Sequence, residues 1–176
     1  MTAAPEPAPR HAPGTTGWLG PLVFAVILTL DFLTKQWALA TLLNVGRIEV
    51  TSFFNLVLVW NTGISFGMLQ TDGELGRWLL IALALAICVI LLFWLRWEQR
   101  LPSKIAIWLI LAGAIGNVID RVRYGAVVDF LDFHAFGYHW PAFNVADSVI
   151  VVGAAILVVD SLFGDRRTLG REGKEK

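Results

Sequence analysis

The sequence predicts an integral membrane protein: an all-α bundle of four transmembrane helices with a small extracytoplasmic β-sheet region. Three observations predict it. The 176 residues are 56% hydrophobic and only 16% charged, with a mean hydropathy of +0.65, whereas a soluble domain carries about 25% charged residues. Apolar runs of bilayer-crossing length recur along the chain. Between them lie segments with the residue types and alternation of strands. Net charge is zero, so nothing points to nucleic acid as a partner. The lone cysteine, Cys88, lies inside an apolar run; it excludes an intrachain disulfide and reads as a small buried or lipid-facing hydrophobe.

Taken in order, residues 1–17 are rich in Pro, Ala and Gly without a periodic apolar pattern and read as a flexible cytoplasmic tail. One membrane domain is expected over 18–163. Its first helix, about 18–43, is interrupted by Asp31 and Lys35. Ala38-Leu39-Ala40 resembles a signal-peptide cleavage site, but the segment is long for such a signal and holds two charges. The outer segment 44–75 contains EVTSFFNLVLVW, Glu49 to Trp60, in which Phe54, Leu56, Leu58 and Trp60 would share one strand face. Asn61-Thr62-Gly63 then supplies turn chemistry.

The second helix, 76–96, contains the unbroken apolar run Trp78 to Leu95; the third spans 103–122. The outer segment 123–143 holds a shorter extended run, Gly125 to Phe133, and a small sheet on the outer membrane surface is expected from the two segments. The fourth helix spans 144–163, and its Gly153, Ala154 and Ala155 permit close helix approach. Residues 164–176 complete the chain as a second cytoplasmic tail. Lys and Arg concentrate in the N-terminal tail, the 96–104 connection and the C-terminus. The positive-inside rule therefore puts both termini in the cytoplasm and the two β-rich segments outside.

Depth brings the awkward polar residues together. Asp31 and Lys35 on helix one, Asn117, Asp120 and Arg121 at the end of helix three, and Asn144 and Asp147 at the start of helix four all reach the outer leaflet. A carboxylate at membrane depth is unfavourable by roughly 2.5 kcal/mol or more, so a shared polar site is expected there. Bland readings stand beside it: Asp31 and Lys35 as an i, i+4 surface ion pair with Lys35 reaching for the interface, and Asn144 and Asp147 as an ordinary N-cap with an acid at N3. Asp129 sits among apolar neighbours in GAVVDF, with Asp132 close behind. Two outer carboxylates sharing a proton could activate water and polarise a carbonyl without a metal. Asp129, beside apolar groups, would more readily hold the proton. Metal hydrolysis is the rival, because His134 and His139 lie near Asp129 and Asp132, but no HExxH-like spacing occurs. No metal and no cofactor are expected.

Five stretches, in order, resemble bacterial lipoprotein signal peptidase (signal peptidase II), a family of inner-membrane aspartic proteases with four transmembrane helices. They are Asp31 with Lys35; NTGISFG, Asn61 to Gly67; AGAIGNVIDR, Ala112 to Arg121; GAVVDF, Gly125 to Phe130; and PAFNVADS, Pro141 to Ser148. The resemblance implies that Asp129 and Asp147 are the catalytic dyad. It implies that Asp31, Lys35, Asn61, Gly63, Gly113, Asn117, Arg121 and Asn144 support the site or bind substrate. It further implies that diacylglyceryl-modified prolipoproteins are cut just before the lipid-bearing cysteine, with membrane lipids as surroundings and a monomer as the working unit. Ala112 stands where the family often has glycine, and Ser65 where alanine is common. The alternative is a transporter or channel lined by the same charges; against it, the inner halves of helices two and three are almost wholly apolar.

Overall fold

A computed structural model describes residues 18–63 and 73–172. The expected N-terminal tail, residues 64–72 of the first outer segment and the last four residues lie outside that range. Four long helices form the frame: α1 (Leu19–Val45), α2 (Gly73–Leu95), α3 (Leu101–Tyr124) and α4 (Val145–Glu172). Each is long and apolar enough to cross a membrane, α4 over Val145–Phe163. All outrun or shift the expected bounds by a few residues at an end, and α4 continues past 163 to Glu172.

α3 is the central helix and packs on α1, α2 and α4. Small residues let it do so. A Cβ on Gly113 would collide with the carbonyl oxygen of Ala146, and one on Gly153 would lie 2.8 Å from the carbonyl oxygen of Ala106, so α3 and α4 meet backbone to backbone. Pro102 sits in the first turn of α3, where its missing N–H costs nothing. Gly125 ends the helix at φ +78°, returning its N–H to the Arg121 carbonyl at 3.0 Å. That turn aims the chain directly into a strand.

The sheet is four-stranded and antiparallel in the order β1 (Arg47–Thr51), β2 (Phe54–Asn61), β3 (Val127–Ala135), β4 (Tyr138–His139). The expected single run Glu49 to Trp60 is instead a hairpin, β1 turning into β2 at Ser52 and Phe53. Nor do its apolar residues share one face, because the β2–β3 ladder slips between Leu56 and Val59. A bulge of this kind re-aims side chains. Phe54 stacks on Phe133 at 4.7 Å, Trp60 meets Tyr124 edge-on at 5.7 Å, and Leu56 and Leu58 pack with Phe130 around Ala38 and Leu42 of α1. The sheet thereby grips the last turns of α1 and carries β3 along the ends of α3 and α4.

Candidate active site

The start of α4 organises the site. Asn144 Oδ1 accepts the Asp147 N–H at 3.0 Å, while Asp147 Oδ2 accepts the Asn144 N–H at 3.2 Å. This reciprocal cap satisfies backbone donors that no helical carbonyl can reach. The Ala146 N–H, another such donor, goes to Asp31 Oδ1 of α1 at 2.9 Å. A carboxylate from a second helix thus pins the first turn of the fourth.

Asp129 projects from β3 and is 0% exposed. Its Oδ1 accepts from Asn144 Nδ2 at 2.7 Å and its Oδ2 from Asn61 Nδ2 at 2.8 Å. The Asn61 amide can face only one way, because its Oδ1 accepts the Gly63 N–H at 2.8 Å. Gly63 makes that turn at φ +78°, a conformation natural to glycine. Asn144 therefore holds Asp129 with its side chain and Asp147 with its backbone.

Asp147 Oδ1 accepts from Asn117 Nδ2 at 2.8 Å. Asn117 is oriented in turn: its Oδ1 takes hydrogen bonds from Lys35 Nζ at 3.1 Å and Asn144 Nδ2 at 3.2 Å. An ammonium only donates, so Lys35 turns the Asn117 oxygen inward and its NH₂ toward Asp147. Lys35 is no surface lysine reaching for the interface. It is 1% exposed and bridges Asp31 Oδ2 at 2.8 Å and Asp120 Oδ2 at 2.9 Å. A buried ammonium needs such compensation. Asp120, which also accepts the Val128 N–H at 3.2 Å, joins the network at the depth the sequence gives it, although the family resemblance does not name it. The signal for it was present: a buried lysine one turn from a single carboxylate calls for a second acid at the same depth.

Arg121 interacts electrostatically with Asp147, Asp129 and Asp120, and its Nη1 lies 3.5 Å from the Asn117 carbonyl. Gly113 makes no polar contact of this kind; it sits at the α3–α4 crossing against Ala146. The Asp129 carboxyl is pushed up to about 6. Burial is the main cause; the Asn61 hydrogen bond works against it, the charge of Asp147 adds to it, and Asn144 and Lys35 oppose it. Asp132 lies outside the cluster, with Asn55 Nδ2 and His139 Nδ1 each 2.8 Å from it. Burial tends to raise its carboxyl, but these hydrogen bonds and the nearby imidazoles hold it below the usual carboxylate range.

A buried acid whose carboxyl is raised to about 6 and a second carboxylate coupled to it make a pair fit for general acid–base work on water. The family described as "Signal peptidase (SPase) II" matches residues 23–163. The chain is 47% identical over 147 residues to the lipoprotein signal peptidase of Burkholderia vietnamiensis and 48% identical to that of Burkholderia ambifaria, each match covering 82% of this chain and 87% of the relative. Two solved bacterial membrane enzyme structures, obtained by the in meso method at 1.9 and 2.3 Å, resemble it with TM-scores of 0.73 and 0.70 at 32% identity. These cover 82% of this chain and 92% and 87% of theirs.

Proposed function

The chain belongs to the signal peptidase II family, and from that premise we propose that Asp129 and Asp147 are the catalytic pair that removes the signal peptide from lipid-modified prolipoproteins. The observation that carries the pairing is Asn144, which donates to Asp129 Oδ1 at 2.7 Å while forming the reciprocal cap with Asp147. In this mechanism a water lies between the carboxylates. Asp147 takes its proton as the water oxygen attacks the scissile carbonyl carbon, and Asp129 gives its proton to the carbonyl oxygen. The tetrahedral diol then collapses: the C–N bond breaks, Asp147 returns its proton to the departing nitrogen, and Asp129 recovers one from a hydroxyl. Both acids end as they began, and the pair titrates as a unit. Asn61, Asn117 and Asn144 keep the oxygens aimed, Lys35 and Arg121 balance their charge, and Asp31 anchors the helix start.

The same reading puts the protein in the bacterial cytoplasmic membrane with both termini inside and the pair at the outer face, working as a single chain among lipids. The concentration of Lys and Arg in the N-terminal tail, the 96–104 connection and the C-terminus of the sequence supports that orientation. A diacylglyceryl cysteine would hold its scissile bond at that level. The transporter alternative has no support in the comparisons.

Cleavage of a diacylglyceryl-modified precursor in detergent tests the pair. Asp129→Asn and Asp147→Asn, each folded, are expected to lose activity by at least about a hundredfold, with a chelator changing nothing in the wild type. Near-wild-type turnover in either folded variant removes that aspartate from the mechanism.

A further inference from the structure

Beyond the proposed catalytic pair, β3 runs on into a hairpin with a cluster of its own. Asp132 and His134 are two residues apart on the strand and share a face. His139 of β4 is the direct ladder partner of His134, and the two imidazole rings lie 4.8 Å apart at 28°. Residues so opposed have Cβ atoms about 4.5–5.5 Å apart, within the span that one ion bridges. His139 Nδ1 sits 2.8 and 3.0 Å from the two Asp132 oxygens, and Asn55 Nδ2 holds that carboxylate in place at 2.8 Å. The carboxylate keeps the proton on Nδ1, which leaves Nε2 of this half-exposed ring with a lone pair. His134 Nε2, meanwhile, is buried with no hydrogen-bond partner, and a buried polar atom left unpaired is unfavourable. One ligand would answer both features.

We propose that His134 and His139 form a two-histidine site for a late first-row divalent transition ion, Zn²⁺ or Cu²⁺, with Asp132 as the outer partner of His139. Imidazole nitrogen suits these ions, and a histidine whose second nitrogen is fixed by a carboxylate is the usual form of a metal-binding histidine. Among the described residues no three His, Cys, Asp or Glu side chains gather as a closed metal site, so water completes the coordination and the ion exchanges freely. The site takes no part in the peptide chemistry and does not depend on the assignment of Asp129 and Asp147. Its effect is to tie β4 to β3.

Calorimetric titration of the full-length, tag-free protein in detergent with Zn²⁺ alone tests the site. One ion per chain is expected, with binding lost in His134→Ala and His139→Ala, weakened about tenfold or more in Asp132→Asn, and unchanged in His11→Ala, which removes the remaining histidine. Electron paramagnetic resonance of the wild type with one equivalent of Cu²⁺ gives a reading that no variant's folding can disturb; hyperfine structure from two imidazole nitrogens is expected. A spectrum with one nitrogen or none, or Zn²⁺ binding undiminished in the folded double variant, overturns the proposal.

Discussion

At the scale of single residues, Asp129 shows how burial and hydrogen bonding set a proton. Burial raises its carboxyl toward 6, and the amide of Asn61 opposes that rise by donating to the ionised form. Removing that donor therefore raises the pKa further. If Asp129 is the acid of the pair, activity falls as pH climbs and the proton leaves, so in Asn61→Ala the alkaline limb of kcat/KM is expected to move to higher pH. A pH–rate profile of the variant checks this; a limb that stays put or moves down separates Asn61 from the titration. Asp129 stood out in the sequence because an acid among Val127, Val128 and Phe130 is hard to read as ordinary surface charge, and its burial bears out that part. For Asp147, the capping and catalytic readings looked like rivals, yet one carboxylate serves the cap with Oδ2 and faces Asn117 with Oδ1. Asp120 was placed at the depth of the cluster yet left out of the supporting residues, because an acid beside Arg121 and Arg123 at a helix end resembles ordinary solvated charge.

At the scale of elements, the polar network is what registers three helices and the sheet. Lys35 of α1 touches Asp120 and Asn117 of α3, and Asp31 of α1 takes the first-turn N–H of Ala146 in α4. Replacing Lys35 by methionine keeps the length of the side chain but leaves two buried carboxylates without their cation. A loss of about 3–5 kcal/mol in unfolding free energy is expected, read as a lowered midpoint in thermal or denaturant unfolding; a variant as stable as the wild type would mean that the three charges do not hold the helices together. The helices themselves were plain from their apolar runs. The β1–β2 hairpin was not, because its turn at Ser52 and Phe53 carries no Gly, Pro or Asn, and the slip between Leu56 and Val59 depends on β3, which lies more than sixty positions on. Such pairing is set by tertiary contacts rather than by local sequence.

At the scale of the whole molecule, the candidate active-site groups lie at one end of the bundle, while Ser103, Arg100 and Asp160 join α3 to α4 at the other. Single cysteines at two exposed positions, Glu49 on strand β1 and Gln99 in the α2–α3 connection, test which end faces out. Glu49→Cys is expected to react with an impermeant maleimide in intact spheroplasts, and Gln99→Cys only after permeabilisation; native Cys88 is buried and should stay silent. The reverse pattern would invert the proposed orientation. α1 also has a consequence for the surrounding lipid. Its 27 residues span about 40 Å, against a hydrocarbon layer of about 30 Å, and the Asp31–Lys35–Asp120 lock forbids it to slide against α3 to absorb a mismatch. A thicker or thinner membrane must instead deform around the protein or tilt it, which lowers or lifts the aspartates relative to the level where an acylated cysteine rests. In vesicles of graded acyl-chain length, turnover should peak at one length and fall on both sides, while the same enzyme in detergent shows no such optimum.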